Sequence, residues 1–132
     1  MPQLNTLVLK DGAATPADHT FEPRDVTAGI ATLVESTGIP LGDRRVTVSV
    51  QRTASGRVKP TVKFVVPVTQ EVTEGGATVA KIVRTGYADL TFNFDPGSTT
   101  QERKDLIAFV RNSLATAQTM MVGALQDLNG IY

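Results

Sequence analysis

Apolar and polar residues alternate strictly over residues 45–51. In an extended chain Val46, Val48 and Val50 point to one side, and Arg45, Thr47, Ser49 and Gln51 to the other. Residues 59–66 repeat the pattern in the same parity, with Val62, Phe64 and Val66 set against Lys59, Thr61 and Lys63. Residues 85–94 do so again, with Ala88, Leu90, Phe92 and Phe94 set against Thr85, Tyr87, Asp89, Thr91 and Asn93. Three such strands in one sheet make an apolar face that needs a cover. The opposite face carries hydroxyls, amides, cations and one tyrosine.

The segments before this set read as shorter strands. Residues 4–10 carry Leu4, Leu7, Val8 and Leu9, Asp11-Gly12 and Pro16 supply turn chemistry, and residues 18–22 return as far as Pro23. This predicts an N-terminal hairpin. Residues 29–36 alternate Ile30, Thr32 and Val34 with Ala31 and Leu33, and residues 37–42 form a turn. Between the main strands, 53–56 is a tight turn, the 58–66 strand stops at Pro67, and 68–77 is a polar loop around Gly75-Gly76. Pro60 suits an edge, an end or a bulge, and Gly86 is the expected bulge in the last strand.

After Asp95-Pro96-Gly97 the period changes from 2 to 3.6. Thr99 and Glu102 have capping-box spacing, and Leu106, Phe109, Val110 and Leu114 make a helical stripe. Met120, Met121, Ala124, Leu125 and Leu128 make a second stripe after a break over 116–119, and Asn129-Gly130 ends it. Strands first and helices last is an α+β order, with the helices expected to cover one face of an antiparallel sheet. Periodicity does not say whether that sheet is the chain's own or a partner's. The 132 residues make one domain, 1–132.

Composition narrows the functional classes. There is no cysteine, hence no disulfide framework or thiolate site, and no apolar run near the ~18 residues of a membrane span. The N-terminus has no apolar signal-peptide core. Net charge is zero, which argues against a general polyanion binder. Locally the balance differs: Arg44, Arg45, Arg52, Arg57, Lys59 and Lys63 fall within 44–70, where there is no acidic residue.

Candidate enzyme chemistry is thin. His19 is the only histidine and has no partners at triad or metal-ligand spacing, so it reads as a surface residue of the hairpin. Asp89 with Asp95 could form a carboxylate pair, but scattered acids are ordinarily solvated charges. Gly75-Gly76 lacks the lysine and helix start of a phosphate loop. Met120-Met121 fits core or dimer packing. The polar face is the better candidate. A sheet commonly has one wet side, but basic residues without nearby acids suit phosphate contacts, and Tyr87 beside hydroxyls and Lys63 suits unpaired RNA bases.

The chain resembles the coat proteins of the small single-stranded RNA bacteriophages, the leviviruses. The stretches that carry the resemblance are RVTVSV (45–50), YADLTFNF (87–94), STTQER (98–103), LNGIY (128–132) and the opening NTLVLKDGAATPADHTFEP (5–23). It implies a hairpin, a five-stranded antiparallel sheet and two helices. It further implies an intertwined homodimer with a continuous ten-stranded sheet, each subunit's helices lying over its partner's strands. Such dimers build an icosahedral shell whose polar sheet face meets the genomic RNA and binds a hairpin that controls replicase translation.

By the same resemblance Ile30, Thr47, Ser49, Thr61 and Lys63 form a pocket for an unpaired adenine. Tyr87 stacks a base, Asp89 stands where the family has Asn or Asp beside that tyrosine, and Arg45 where it has a basic residue. Gln51 and Lys59 complete the face by parity. Gln51 stands where some members have arginine and Val65 where they have glutamate, which leaves the preferred hairpin open. The variable loop of the family, around the shell's symmetry axes, falls on 70–78. No enzyme activity, cofactor or membrane partner is implied. The expected locations are the virion and, before assembly, the bacterial cytoplasm. The alternative is a cellular dimeric sheet module that binds nucleic acid or a ligand without forming a shell.

Overall fold

A computed structural model describes residues 2–132. Six antiparallel strands follow one another in chain order: β1 (Leu7–Lys10), β2 (Asp18–Thr27), β3 (Ile30–Glu35), β4 (Arg44–Arg52), β5 (Val58–Glu74) and β6 (Ala77–Thr91). A 3-10 turn, Pro40–Gly42, joins β3 to β4. Two helices follow, α1 (Thr100–Ser113) and α2 (Thr119–Leu125). The chain groups into two compact units, one ending at Asn93 and the other spanning Phe94–Tyr132.

β2 is longer than the alternation suggested because it serves two neighbours. Its first half pairs with β1 through Leu7–Phe21 and Leu9–His19, which is the expected hairpin. Its second half passes Pro23 and pairs with β3, making a five-stranded sheet from β2 to β6. The join is a bulge: Pro23 faces Leu33 and Asp25 faces Thr32, so Arg24 is the extra residue. Proline does not end this strand because a bulge absorbs the irregularity it introduces.

The parity reading holds through the sheet. Leu33, Val46, Phe64 and Ala88 are successive cross-strand partners, and Ala31, Val48, Val62 and Leu90 are the next set. Phe21, Leu33 and Val46 form the buried core, with Leu4, Leu9, Val62 and Phe64 packed against it. Val46, at the centre of the first alternating stretch, has no exposed surface, whereas Val50 at the same strand's end is 61% exposed.

Two further expectations are corrected. Residues 68–77 are not a polar loop: β5 continues past Pro67 to Glu74, and β6 begins at Ala77. Cross-strand pairs Val72–Val79 and Thr73–Thr78 and a Lys81–Glu74 ion pair carry the ladder outward. The reversal is a two-residue turn, Gly75-Gly76, with φ of +59° and +81°, the left-handed pair that a tight hairpin requires. The bulge is also displaced from Gly86, which pairs in register with Val66. It lies at Val83, because Arg84 faces Val68 while Ile82 faces Thr69.

The helical unit matches its signals. Thr99 Oγ1 accepts the Glu102 N–H at 3.2 Å and a Glu102 carboxylate oxygen accepts the Thr99 N–H at 3.1 Å, a complete capping box. Within α1 and α2 no residue is buried, and Phe109, on the α1 stripe, is 71% exposed.

The turn geometry predicts opposite effects at two sites. Gly75→Ala together with Gly76→Ala forces two side chains into the left-handed region and should cost about 1–2 kcal/mol per residue. Ala28 already sits there, at φ +53° in the β2–β3 turn. Ala28→Gly should therefore raise stability by about 0.5–1 kcal/mol. Urea unfolding of the two variants beside the parent checks both signs.

Candidate nucleic-acid interface

The register that builds the core also builds the opposite face. Ile30, Ser49, Thr61 and Thr91 are successive cross-strand partners across β3 to β6. The next row is Thr32, Thr47, Lys63 and Asp89, and the one after it Val34, Arg45, Val65 and Tyr87. Gln51 and Lys59 pair at the other end of β4. All ten residues singled out in the sequence thus lie on one face, in consecutive rows about 6.8 Å apart.

Their surroundings suit contact with a polar ligand. Thr47, Ser49 and Thr61 are half-buried, so their hydroxyls are held by the strands on which they stand. Lys63, Arg45 and Asp89 are exposed, and the Tyr87 ring is 75% exposed on a rigid strand. Among the described residues neither Arg45 nor Lys63 makes an ion pair, which leaves both cations available to an external anion.

The local basic excess is smaller on this face than the sequence suggested. Arg44 has the opposite parity and pairs with Glu35. Arg57 donates through Nε to the Asn93 side chain at 2.6 Å. Arg52 partners Val58 in the same parity as Arg44. Arg45, Lys59 and Lys63 carry the positive charge of the polar rows, and Asp89 stands beside Lys63.

Comparison with known proteins decides what this sheet belongs to. The family model described as levivirus coat protein matches residues 2–132. The capsid protein of Pseudomonas phage PRR1 is 42% identical over 130 residues, covering 98% of this chain and 99% of that one. The chain belongs to the levivirus coat protein family. The capsid protein of Escherichia virus Qbeta is 34% identical over 140 residues, with both chains fully covered. Among solved structures, the virus-like particle of bacteriophage NT-214 superposes with a TM-score of 0.87 at 28% identity, covering 99% of this chain and 100% of that one.

The role is therefore that of a structural capsid protein and not of an enzyme. Each carboxylate of the candidate pair has an ordinary setting of its own. Asp89 sits in the polar rows, and Asp95 Oδ1 accepts the Gly97 N–H at 2.8 Å to shape the turn before α1. Among the described residues no cluster of His, Asp and Glu could hold a metal. Two hydroxyls of the coat protein's polar face, Thr32 and Thr91, fall in the alternating stretches read from the sequence but are not among the chosen site residues. The register places Thr32 opposite Thr47 and Thr91 opposite Thr61, and pairing of those strands is the signal that adds them.

His19 is more than a surface residue. Its Nδ1 lies 2.7 Å from Glu35 and its Nε2 2.8 Å from Asp11. Asp11 also accepts the Ala13 and Ala17 N–H groups at 3.1 Å, and Glu35 holds Arg44. The imidazole thus ties the β1–β2 turn to β3 and β4. Hydrogen bonds to Asp11 and then Glu35 raise the His19 pKa above its ordinary 6.5, against some desolvation. The His19 bond, followed by the two backbone N–H groups, holds Asp11 down to about 2.

The signs of these shifts set a pH window. The raised His19 pKa contributes stability that is complete below pH 6.5 and is lost as pH rises through the folded-state value. The lowered Asp11 pKa contributes above 3.8 and is lost as pH falls toward 2. Urea midpoints of the coat protein should fall as pH rises above 6.5, and His19→Gln should flatten that fall. Equal slopes in parent and variant would show that another group titrates.

Proposed function

We propose that this chain forms an intertwined homodimer that assembles into an icosahedral shell around single-stranded RNA. We also propose that its polar sheet face binds an RNA hairpin and represses replicase translation. The observation that carries the second part is the cross-strand placement of Thr47 with Lys63, one row from Tyr87, and of Ser49 with Thr61, two rows from it, on an exposed face. Hydroxyls on fixed strands can donate to and accept from base edges, Lys63 and Arg45 can meet phosphates, and the Tyr87 ring can stack an unpaired base. Ile30, Asp89, Gln51 and Lys59 border the same rows. Shell formation is supported by the NT-214 relative, whose solved structure is a virus-like particle.

Unfinished burial supports the dimer. Val48 and Val50 on the apolar face and Phe109, Leu114 and Met120 on the helices are all exposed. Such helices are stable in water only when an apolar face is packed. A second subunit lending its helices to the first subunit's sheet would cover both surfaces and join the sheets into one of ten strands. The two compact units then act as one coat domain, resident in the virion and, before assembly, in the host cytoplasm.

If the dimer is obligate, the unfolding midpoint rises with protein concentration. A midpoint that stays constant, with a monomeric mass, would overturn that part. For RNA, Tyr87→Ala should cost a hairpin selected from a randomised pool about 1–3 kcal/mol, the scale of one stacked base. Thr47→Ala should likewise weaken the selected hairpin more than bulk RNA. Lys63→Ala should weaken both and lower the salt slope by about one charge. Titrations at two salt concentrations separate these effects. Parent-like binding by the Tyr87 and Thr47 variants would reduce the face to the wet side of a sheet.

A further inference from the structure

Beyond the Tyr87 row the polar face does not flatten out but sinks into a trough of about 310 Å³. That volume is at the small end of ligand pockets, which begin near ~300 Å³. Val34, Val65 and the buried Pro67 contribute apolar lining. Pro40 and Leu41 of the 3-10 turn line it too, as do Thr85 and Tyr87 of β6. Polar groups enter from Arg24, Arg45 and Asp43.

Both irregularities of the sheet border this trough. Arg24 is the extra residue of the β2 bulge, and Ile82, another lining residue, directly precedes the extra residue Val83 of β6. Bulges bend strands and re-aim side chains, and here they leave a depression with a cation on its rim. Arg24 is exposed, and only its Nε meets Asp25, at 3.3 Å. Asp43 Oδ1 accepts the Thr37 N–H at 3.3 Å.

We propose that the trough is a second nucleotide pocket, taking an unpaired RNA nucleotide next along the strand to the base stacked on Tyr87. The proposal rests on the RNA-binding reading above. The apolar lining takes the face of a base, Arg45 and Arg24 take its phosphate, and the Asp43 carboxylate takes an amino edge. The last contact favours adenine, cytosine or guanine over uracil, because their exocyclic amino groups donate to a carboxylate, whereas uracil's one N3–H donor is flanked by two carbonyl oxygens that a carboxylate repels. The Asp43–Pro67–Thr85 end of the trough is four residues along the strands from the Thr47 row, roughly 13 Å. One base cannot occupy both places, so the hydroxyl rows and the trough would read different nucleotides. Charge complementarity and continuity with the polar rows favour RNA as the occupant.

The test uses the assembled dimer and RNA hairpins selected by the parent protein from a pool randomised at loop and bulge positions. Val65→Glu sets a carboxylate between Arg45 and Tyr87, and Arg24→Ala removes an exposed cation without touching the core. Each should weaken the selected hairpin about tenfold or more, the scale of losing one stacked base. Reselection with Val65→Glu should lose base preference at one unpaired position and keep it at the position that Thr47→Ala disturbs. If Thr47→Ala weakens binding while Val65→Glu and Arg24→Ala bind as the parent does, the pocket is wrong and the RNA reading stands. If the parent selects no hairpin above the starting pool, both fall.

Discussion

Everything in this subunit depends on four strands keeping one register. Side chains alternate with a period of two, so a slip of one residue between β4 and β5 would turn Val62 and Phe64 outward and bring Thr61 and Lys63 into the core. The penalty for burying an unpaired lysine and a hydroxyl is what holds the pairing in place. The core and the polar face are therefore one structural decision seen from two sides. The same ladder that places Val46 out of solvent stands Thr47 opposite Lys63.

This explains why so much was legible in the sequence. Periods of two and of 3.6 separate strands from helices without any tertiary information, and the capping residues Thr99 and Glu102 mark where one gives way to the other. Parity also assigned the polar face, because cross-strand partners in a flat register share a side. The resemblance to RNA-phage coat proteins then attached roles to positions already grouped by parity.

What escaped was whatever breaks the period. Pro23 and Pro67 read as strand ends, yet both lie inside strands. Gly86 read as a bulge, yet the extra residue is Val83. Whether a proline sits at a ladder position that needs its missing N–H, or where a bulge falls, depends on the partner strand, which the local sequence does not contain. The Gly75-Gly76 segment looked like a flexible loop because glycine and polar residues serve both loops and tight turns; the cross-strand pairs on either side of it decide the matter. His19 was underestimated for a related reason. Asp11 is eight residues away and Glu35 sixteen, and only the fold brings them to the imidazole.

The Val83 bulge also divides the longest hairpin into two phases. Below it, odd residues of β6 such as Tyr87 and Asp89 share the polar face with odd residues of β5. Above it, Ile82 and Ala80 take over that side opposite Thr69 and Glu71. The outer arm is thus keyed to its own turn, and the inner rows are keyed to β4. Variation at the tip, even by an odd number of residues, can be absorbed at this joint without rotating Tyr87 off its face. A surface free to diversify and a surface held constant can then share two strands.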